Sequence, residues 1–146
     1  MTFGFRVERA TSAPPAGVYD LLADAAAWHE WVPFIGYSQL IRQGTPDPFG
    51  AGAIRRVGVF KGASVDEEIV EAQPAHYQRY RGVRGFPVSQ YCGEICLNEV
   101  DAGTELVWSV TFEQRVPGTG RPLGPVIRAV ITAMVDRTIK VAEQSA

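Results

Sequence analysis

The chain has 146 residues and a net charge of −2, with 46% hydrophobic and 21% charged residues, which excludes a disordered chain and predicts one domain spanning residues 1–146. The sequence has no run of basic residues that could bind the phosphate backbone of a nucleic acid, so we expect no nucleic-acid partner. No segment approaches the ~20 apolar residues of a membrane span and no signal core opens the chain, so we expect a cytoplasmic protein without membrane insertion.

The first part of the chain predicts one strand and two short helices. Near-alternation of apolar and charged residues predicts a strand over residues 3–11. The serine and prolines within residues 12–15 are a helix-start signal, and an apolar stripe follows them. Asp24 is expected to cap a second short helix that runs to Trp28.

The rest of the chain predicts a run of strands and then a long helix. Short turns join the strands, which is typical of an antiparallel meander. The strands are expected at residues 37–42, 53–60, 64–72, 77–83, 88–100 and 104–116. Apolar residues at three- and four-residue spacing then predict an amphipathic helix, with the stripe Leu123, Ile127, Ile131, Met134, Val135, Thr138 and Val141.

This element order predicts an α+β protein with the pattern β-αα-β₆-α. The apolar stripe of the last helix must be buried against the sheet of about seven strands, because no other extended apolar face exists. Glycines within the strand patterns, at 58, 82 and 93, indicate a strongly curved sheet. Alternation places Leu106, Trp108, Val110 and Phe112 on its inward face, and a concave space is expected between the sheet and the helix.

The two cysteines and two histidines predict no metal site. Cys92 and Cys96 lie in one predicted strand, where their Cα atoms would be about 13 Å apart, too far for a disulfide. His29 and His76 are expected to be solvated, and no spacing typical of metal ligands occurs. We therefore expect reduced cysteines and no bound metal.

Several segments resemble one known superfamily. Residues 11–24 (TSAPPAGVYDLLAD), followed by Trp28 and by Trp-Val-Pro at 31–33, are similar to the opening of SRPBCC proteins. This superfamily unites START lipid-transfer domains, birch-pollen-type allergens and polyketide cyclase/dehydrase-like proteins. Residues 50–55, 68–71 and 103–108 continue the resemblance in order along nearly the whole chain.

The resemblance implies a helix-grip fold: a curved antiparallel sheet wrapped around the C-terminal helix, with an interior cavity. It implies binding of a small hydrophobic or aromatic ligand, lipid- or polyketide-like, and no fixed reaction. One alternative is an enzyme of the polyketide cyclase/aromatase type that uses the same cavity, and another is a regulatory interaction module with a vestigial cavity. No cofactor is expected. The oligomeric state stays open between monomer and homodimer, with Phe49 and residues 86–88 as candidates for a dimer patch.

Candidate ligand-binding residues are the large side chains expected around this cavity. Trp28 and Tyr37 lie where a helix-grip cavity would open, and similar aromatics line the pocket of aromatase/cyclase relatives. Trp31 and Phe34, close by, are assigned to core packing, which is also the alternative for every member of the set. The set is Trp28, Tyr37, Tyr80, Tyr91, Ile95, Trp108, Val110, Phe112, Ile131, Met134 and Val135.

A polar group inside the cavity is expected from Arg55, Arg56 and Glu68. Adjacent strand residues face opposite sides, so one of the two arginines should point inward, with Glu68 as a candidate partner. Relatives with cyclase activity tend to place an arginine in the cavity, whereas residues 66–68 here are acidic. We therefore favour a structural salt bridge and assign no catalytic residue.

Overall fold

The computed structural model describes residues 1–145 and has the predicted order of elements. All seven predicted strands are confirmed to within two residues at either end. The elements are β1 (Thr2–Thr11), α1 (Pro15–Ala23), a 3₁₀ turn (Ala25–Ala27), α2 (Trp28–Trp31), β2 (Tyr37–Arg42), β3 (Ile54–Phe60), β4 (Ala63–Gln73), β5 (Tyr77–Arg84), β6 (Val88–Val100), β7 (Gly103–Gln114) and α3 (Gly120–Ser145).

The seven strands form one antiparallel sheet in the order β1-β7-β6-β5-β4-β3-β2. Its two edges are therefore β1 and β2, the strands that flank the short helices in the sequence. The register shifts within several strand pairs, including the β3/β4 and β6/β7 pairs. Such bulges bend a sheet and increase its twist, and they account for the predicted curvature. The helix-grip α+β fold is confirmed.

The inward face of the sheet carries the core. Leu106, Trp108, Val110 and Phe112 of β7 are all buried, as alternation predicts. Cys92 and Cys96 lie in β6, as two free cysteines.

The short helices are held by packing and not by side-chain caps. The predicted Asp24 cap is wrong: its side chain makes no capping hydrogen bond, and its backbone N–H donates to Asp20 O at the end of α1. The chain then passes through the 3₁₀ turn into α2. Trp28 Nε1 donates to Leu21 O at 2.9 Å, which fastens α2 against α1.

The C-terminal half of α3 closes the fold, and the first half does not. Met134, Val135, Thr138 and Ala142 are buried, and Thr11 Oγ1 donates to Glu143 Oε2 at 2.7 Å. Near the start of α3, Val126 and Val130 remain 58% and 49% exposed. The beginning of the helix therefore stands away from β3–β5 and leaves space between helix and sheet.

Candidate ligand-binding site

An open cavity of about 610 Å³ lies between the sheet and residues 126–134 of α3. The β3–β4 hairpin, the start of β6 and the segment after α2 form its walls, and β5 and β7 contribute one aromatic side chain each. Its lining is Trp28, Phe34, Ile35, Val57, Gly58, Val59, Ala63, Val65, Glu67, Tyr80, Phe86, Pro87, Tyr91, Trp108, Val126, Ile127, Ala129, Val130, Ile131, Ala133 and Met134. Nearly all of these side chains are apolar or aromatic.

An aromatic cluster forms one wall. Tyr80 and Trp108 meet edge to face, with ring centroids 6.3 Å apart, and Trp108 Nε1 donates to the Tyr80 hydroxyl at 3.0 Å. Tyr91 lies against Tyr80 at 6.1 Å and stacks on Phe86 at 4.4 Å. Gly93 makes this arrangement possible, because a Cβ there would lie 2.1 Å from Tyr80 Cζ. The tyrosine rings are thus fixed in place before any ligand arrives.

A buried ion pair lies at the edge of the aromatic cluster. Arg55 is 2% exposed, and its Nε donates to Glu67 Oε1 at 2.9 Å. The guanidinium lies 4.7 Å from the ring centroid of Trp28 and 4.8 Å from that of Tyr80. Arg55 is therefore enclosed behind these rings and outside the cavity lining, whereas Glu67 belongs to the lining.

The tyrosine hydroxyls of the cavity remain protonated at neutral pH. Burial raises the pKa of Tyr80 well above its ordinary value. Burial also raises the pKa of Tyr91, and the charge of the neighbouring Glu67 raises it further. Both phenols can consequently donate as well as accept hydrogen bonds.

The residues of the predicted polar group, Arg55, Arg56 and Glu68, lie on opposite faces of the sheet. Arg55 and Glu67 are opposite each other in the β3/β4 register, as are Arg56 and Asp66, so each pair shares one face. Arg56 Nε donates to Asp66 Oδ1 at 2.7 Å on the outer face. The expected pairing of Glu68 with Arg55 or Arg56 is wrong.

Glu68 belongs instead to an outer cluster of ion pairs. It accepts from Arg81 Nε and Arg42 Nη2, both at 2.8 Å, and the Arg81 hydrogen bond lowers the pKa of Glu68. Asp66 accepts from Arg56 and Arg84, and the Arg56 hydrogen bond lowers its pKa to about 2. These groups face away from the cavity and have a structural role in the sheet.

The structure brings six of the predicted ligand-binding residues to the cavity: Trp28, Tyr80, Tyr91, Trp108, Ile131 and Met134. Ile95, Val110, Phe112 and Val135 are buried in the core outside the lining. Tyr37 is also outside it, because its hydroxyl donates to Gln39 Oε1 at 2.6 Å in an exposed pair. Position on the inward face was therefore not sufficient for a place in the cavity.

Several lining residues were assigned elsewhere from the sequence. Phe34, expected in the core, is 38% exposed and lines the opening. Phe86 and Pro87, considered as part of a dimer patch, form a cavity wall. Glu67 also lines the cavity, which the sequence analysis missed. The available signal was its position two residues before the buried Ile69, because alternate residues of a strand share one face.

A second cavity, between α1 and residues 45–51, is larger, but acidic side chains form part of its wall. It measures about 680 Å³, and its lining includes Asp20, Asp24 and Asp47. Such a wall does not suit an apolar ligand, so the smaller cavity under α3 is the better candidate.

Within residues 1–145 no cluster of histidine, cysteine and acidic side chains is arranged to hold a metal ion. No helix in that part of the chain is long and apolar enough to cross a membrane.

A family model described as polyketide cyclase / dehydrase and lipid transport matches residues 2–143. The chain belongs to this family. A similar protein of Mycobacterium tuberculosis (strain ATCC 25618 / H37Rv), itself uncharacterized, is 27% identical over 128 residues, which cover 86% of this chain and 74% of the relative. In this member of the polyketide cyclase/dehydrase family, the cavity is lined in part by aromatic side chains.

Solved structures share the fold of this polyketide cyclase/dehydrase family member. An aromatase/cyclase from Streptomyces sp. R1128 superposes with a TM-score of 0.83 at 20% identity, covering 99% of this chain and 95% of that one. A START superfamily protein from Mycobacterium smegmatis superposes with a TM-score of 0.78 at 13% identity, covering 99% of both chains. At these identities the likeness establishes the helix-grip fold alone.

Proposed function

We propose that this protein binds a small apolar or aromatic molecule, lipid- or polyketide-like, in the cavity between the sheet and α3. The observation that carries the proposal is the cavity itself, about 610 Å³ with a lining that is almost wholly apolar. Binding pockets for small molecules fall in the range of roughly 300–1,000 Å³ and combine apolar walls with a few fixed polar groups. Glu67 and the two tyrosine hydroxyls are such groups here.

The fixed aromatic cluster supports this function further. Tyr80 and Trp108 are held by their mutual hydrogen bond and by ring packing, so they lose little freedom when a ligand binds. At the opening, Phe34, Val126 and Val130 expose apolar surface that an apolar ligand would cover.

Titration with Nile red, a neutral apolar dye, tests the proposal. We expect saturable binding with a blue shift of the dye's emission, because the cavity walls exclude water. Ala133→Phe, on the α3 face that lines the opening, should weaken binding about tenfold by filling the entrance.

Ala16→Phe is the matched control, because Ala16 is an exposed helical alanine of α1 outside the cavity lining. Its affinity for the dye should stay within about threefold of the wild-type value. Equal loss in the two variants, or no saturable binding by the wild type, would contradict the proposal.

A second candidate is catalysis of cyclisation or dehydration on a bound polyketide. One observation favours it: Glu67 places an ionisable carboxylate in the cavity wall, where a positioned acid or base can transfer protons. The test is to incubate a synthetic poly-β-ketone with wild type, Glu67→Gln or buffer and to compare the products. A product made by the wild type and lost in the variant supports catalysis, provided both bind Nile red within about threefold. Identical product mixtures in all three samples refute it.

A further inference from the structure

The charge in the cavity wall restricts what the ligand can be. Glu67 is the single charged residue in the described lining, and it is only 8% exposed. Its Oε1 accepts from Arg55 Nε, and among residues 1–145 no donor reaches its other carboxylate oxygen, Oε2. One acceptor of a buried carboxylate is therefore left for a group that enters the cavity.

Arg55 cannot take over the contact with a ligand. Its guanidinium is enclosed by the rings of Trp28 and Tyr80, and its Nη1 is directed to Gln78 Oε1 at 3.5 Å. Its Nη2 has no hydrogen-bond partner within residues 1–145, but it is fully buried and out of reach of a molecule in the cavity. The arginine lies outside the lining, so a molecule in the cavity meets the negative partner of the pair first. A positively charged ligand is also disfavoured, because Arg55 already balances the charge of Glu67.

We infer that the ligand is a neutral molecule with an apolar body and a hydrogen-bond-donating head, a hydroxyl or phenol, which donates to Glu67 Oε2. A ligand that ends in a carboxylate, such as a free fatty acid, would bring a second acceptor and a like charge to a poorly solvated carboxylate. An apolar ligand without a donor would leave Oε2 unsatisfied. This inference rests on the proposed function and adds the class of ligand to it.

The test compares three molecules that share one apolar body. The probes are 2-naphthol, 2-methoxynaphthalene and 2-naphthoate, and their affinities are measured by isothermal titration calorimetry at pH 7. We expect 2-naphthol to bind about tenfold more tightly than 2-methoxynaphthalene, because only naphthol donates a hydrogen bond to the charged acceptor. We expect 2-naphthoate to bind at least about tenfold more weakly than 2-naphthol.

Glu67→Gln removes the charge and retains a hydrogen-bond acceptor. In this variant 2-naphthoate should bind more tightly than in the wild type, and the preference for 2-naphthol over it should fall below about threefold. Glu68→Gln is the matched control, since it is the adjacent carboxylate on the outer face. It should keep the wild-type order of affinities.

A double variant controls for the possibility that Glu67→Gln alone fails to fold because it leaves Arg55 buried without its partner. Arg55→Met with Glu67→Gln removes both members of the buried pair, so neither charge is left without its partner. It should show the same loss of preference as Glu67→Gln alone.

The outcomes separate the inference from the proposed function. Binding of all three probes within about threefold of one another by the wild type would overturn the inference and leave the apolar cavity as a binding site. Tightest binding of 2-naphthoate would overturn it as well. No binding of any probe, together with no binding of Nile red, would overturn the proposed function and the inference with it.

Discussion

Gly93→Ala should lower the stability of the fold by forcing the Tyr80 ring out of its place. A Cβ at this position in β6 would lie 2.1 Å from Tyr80 Cζ and 2.3 Å from its hydroxyl oxygen, far inside van der Waals contact. Tyr80 is 1% exposed and is enclosed by Trp108, Tyr91 and Arg55. Tyr80 also lines the cavity, so the ring can give way only toward that space, and doing so breaks its packing against Trp108.

Two costs contribute to the expected loss of stability. Forcing a methyl group into a packed core costs about 1–3 kcal/mol. Moving the Tyr80 ring also breaks the 3.0 Å hydrogen bond from Trp108 Nε1, and leaving that buried donor unsatisfied costs about 1–3 kcal/mol. Together they lower the free energy of unfolding by roughly 2–6 kcal/mol, a large part of the ~5–15 kcal/mol typical of a domain.

Urea denaturation followed by circular dichroism measures this loss. With a slope of about 2 kcal/mol/M, the midpoint should fall by roughly 1–3 M. Gly17→Ala serves as the control, because its Cβ would meet nothing closer than 3.8 Å in the exposed first turn of α1. That variant should be stabilised, by up to about 1 kcal/mol.

A double-mutant cycle with Tyr80→Leu decides whether the collision is the cause. Leucine lacks Cζ, Cε1 and the hydroxyl, the three tyrosine atoms that a Cβ on Gly93 would meet. In the Tyr80→Leu background, Gly93→Ala should change the free energy of unfolding by less than about 0.5 kcal/mol. An equal cost in both backgrounds, or a cost below about 0.5 kcal/mol in the wild type, would refute the reasoning.

Three further outcomes are expected from the charged and phenolic groups. Arg55→Met should lower the free energy of unfolding by about 3–5 kcal/mol because it leaves the Glu67 carboxylate buried alone, and adding Glu67→Gln should restore much of it; equal losses in urea denaturation would contradict this. The folded-state pKa of Asp66 is about 2 against an ordinary 3.8, so its ion pairs stabilise the fold above about pH 4, and this contribution is lost as the pH falls toward 2. Asp66→Asn should therefore cost on the order of 2 kcal/mol at neutral pH and flatten the acid-denaturation profile, whereas an unchanged profile would count against the ion pairs. Ultraviolet titration should show Tyr80 and Tyr91 protonated as long as the protein stays folded, and a phenolate step near pH 10 that Tyr91→Phe removes would contradict the assigned burial.

The fold could be predicted from the sequence because its signals are local and repeated. Alternation along β7 determines which side chains are buried, and spacing along α3 determines which face of the helix meets the sheet. Both periodicities survive small errors in the ends of the elements. The missing Asp24 cap shows the opposite case, since a cap depends on the geometry of one turn.

The cavity was harder to predict because it depends on where packing stops. Ile95 and Trp108 both face inward and are opposite each other in the β6/β7 register, but only Trp108 lines the cavity. Similarly, Phe34 is apolar and close to the core in sequence, and its role follows from the position of the opening. Periodicity reports the face of a strand and contains no information on the distance to the element opposite it.

The three consecutive acidic residues of β4 also determine how that strand pairs during folding. Asp66 and Glu68 meet arginines on the outer face, and Glu67 meets Arg55 on the inner one. A slip of one residue would turn two carboxylates toward the apolar interior, where one arginine cannot neutralise both. Misregistered sheets are therefore penalised by charge as well as by lost packing, so the ion pairs of β4 also direct the chain to a single strand alignment.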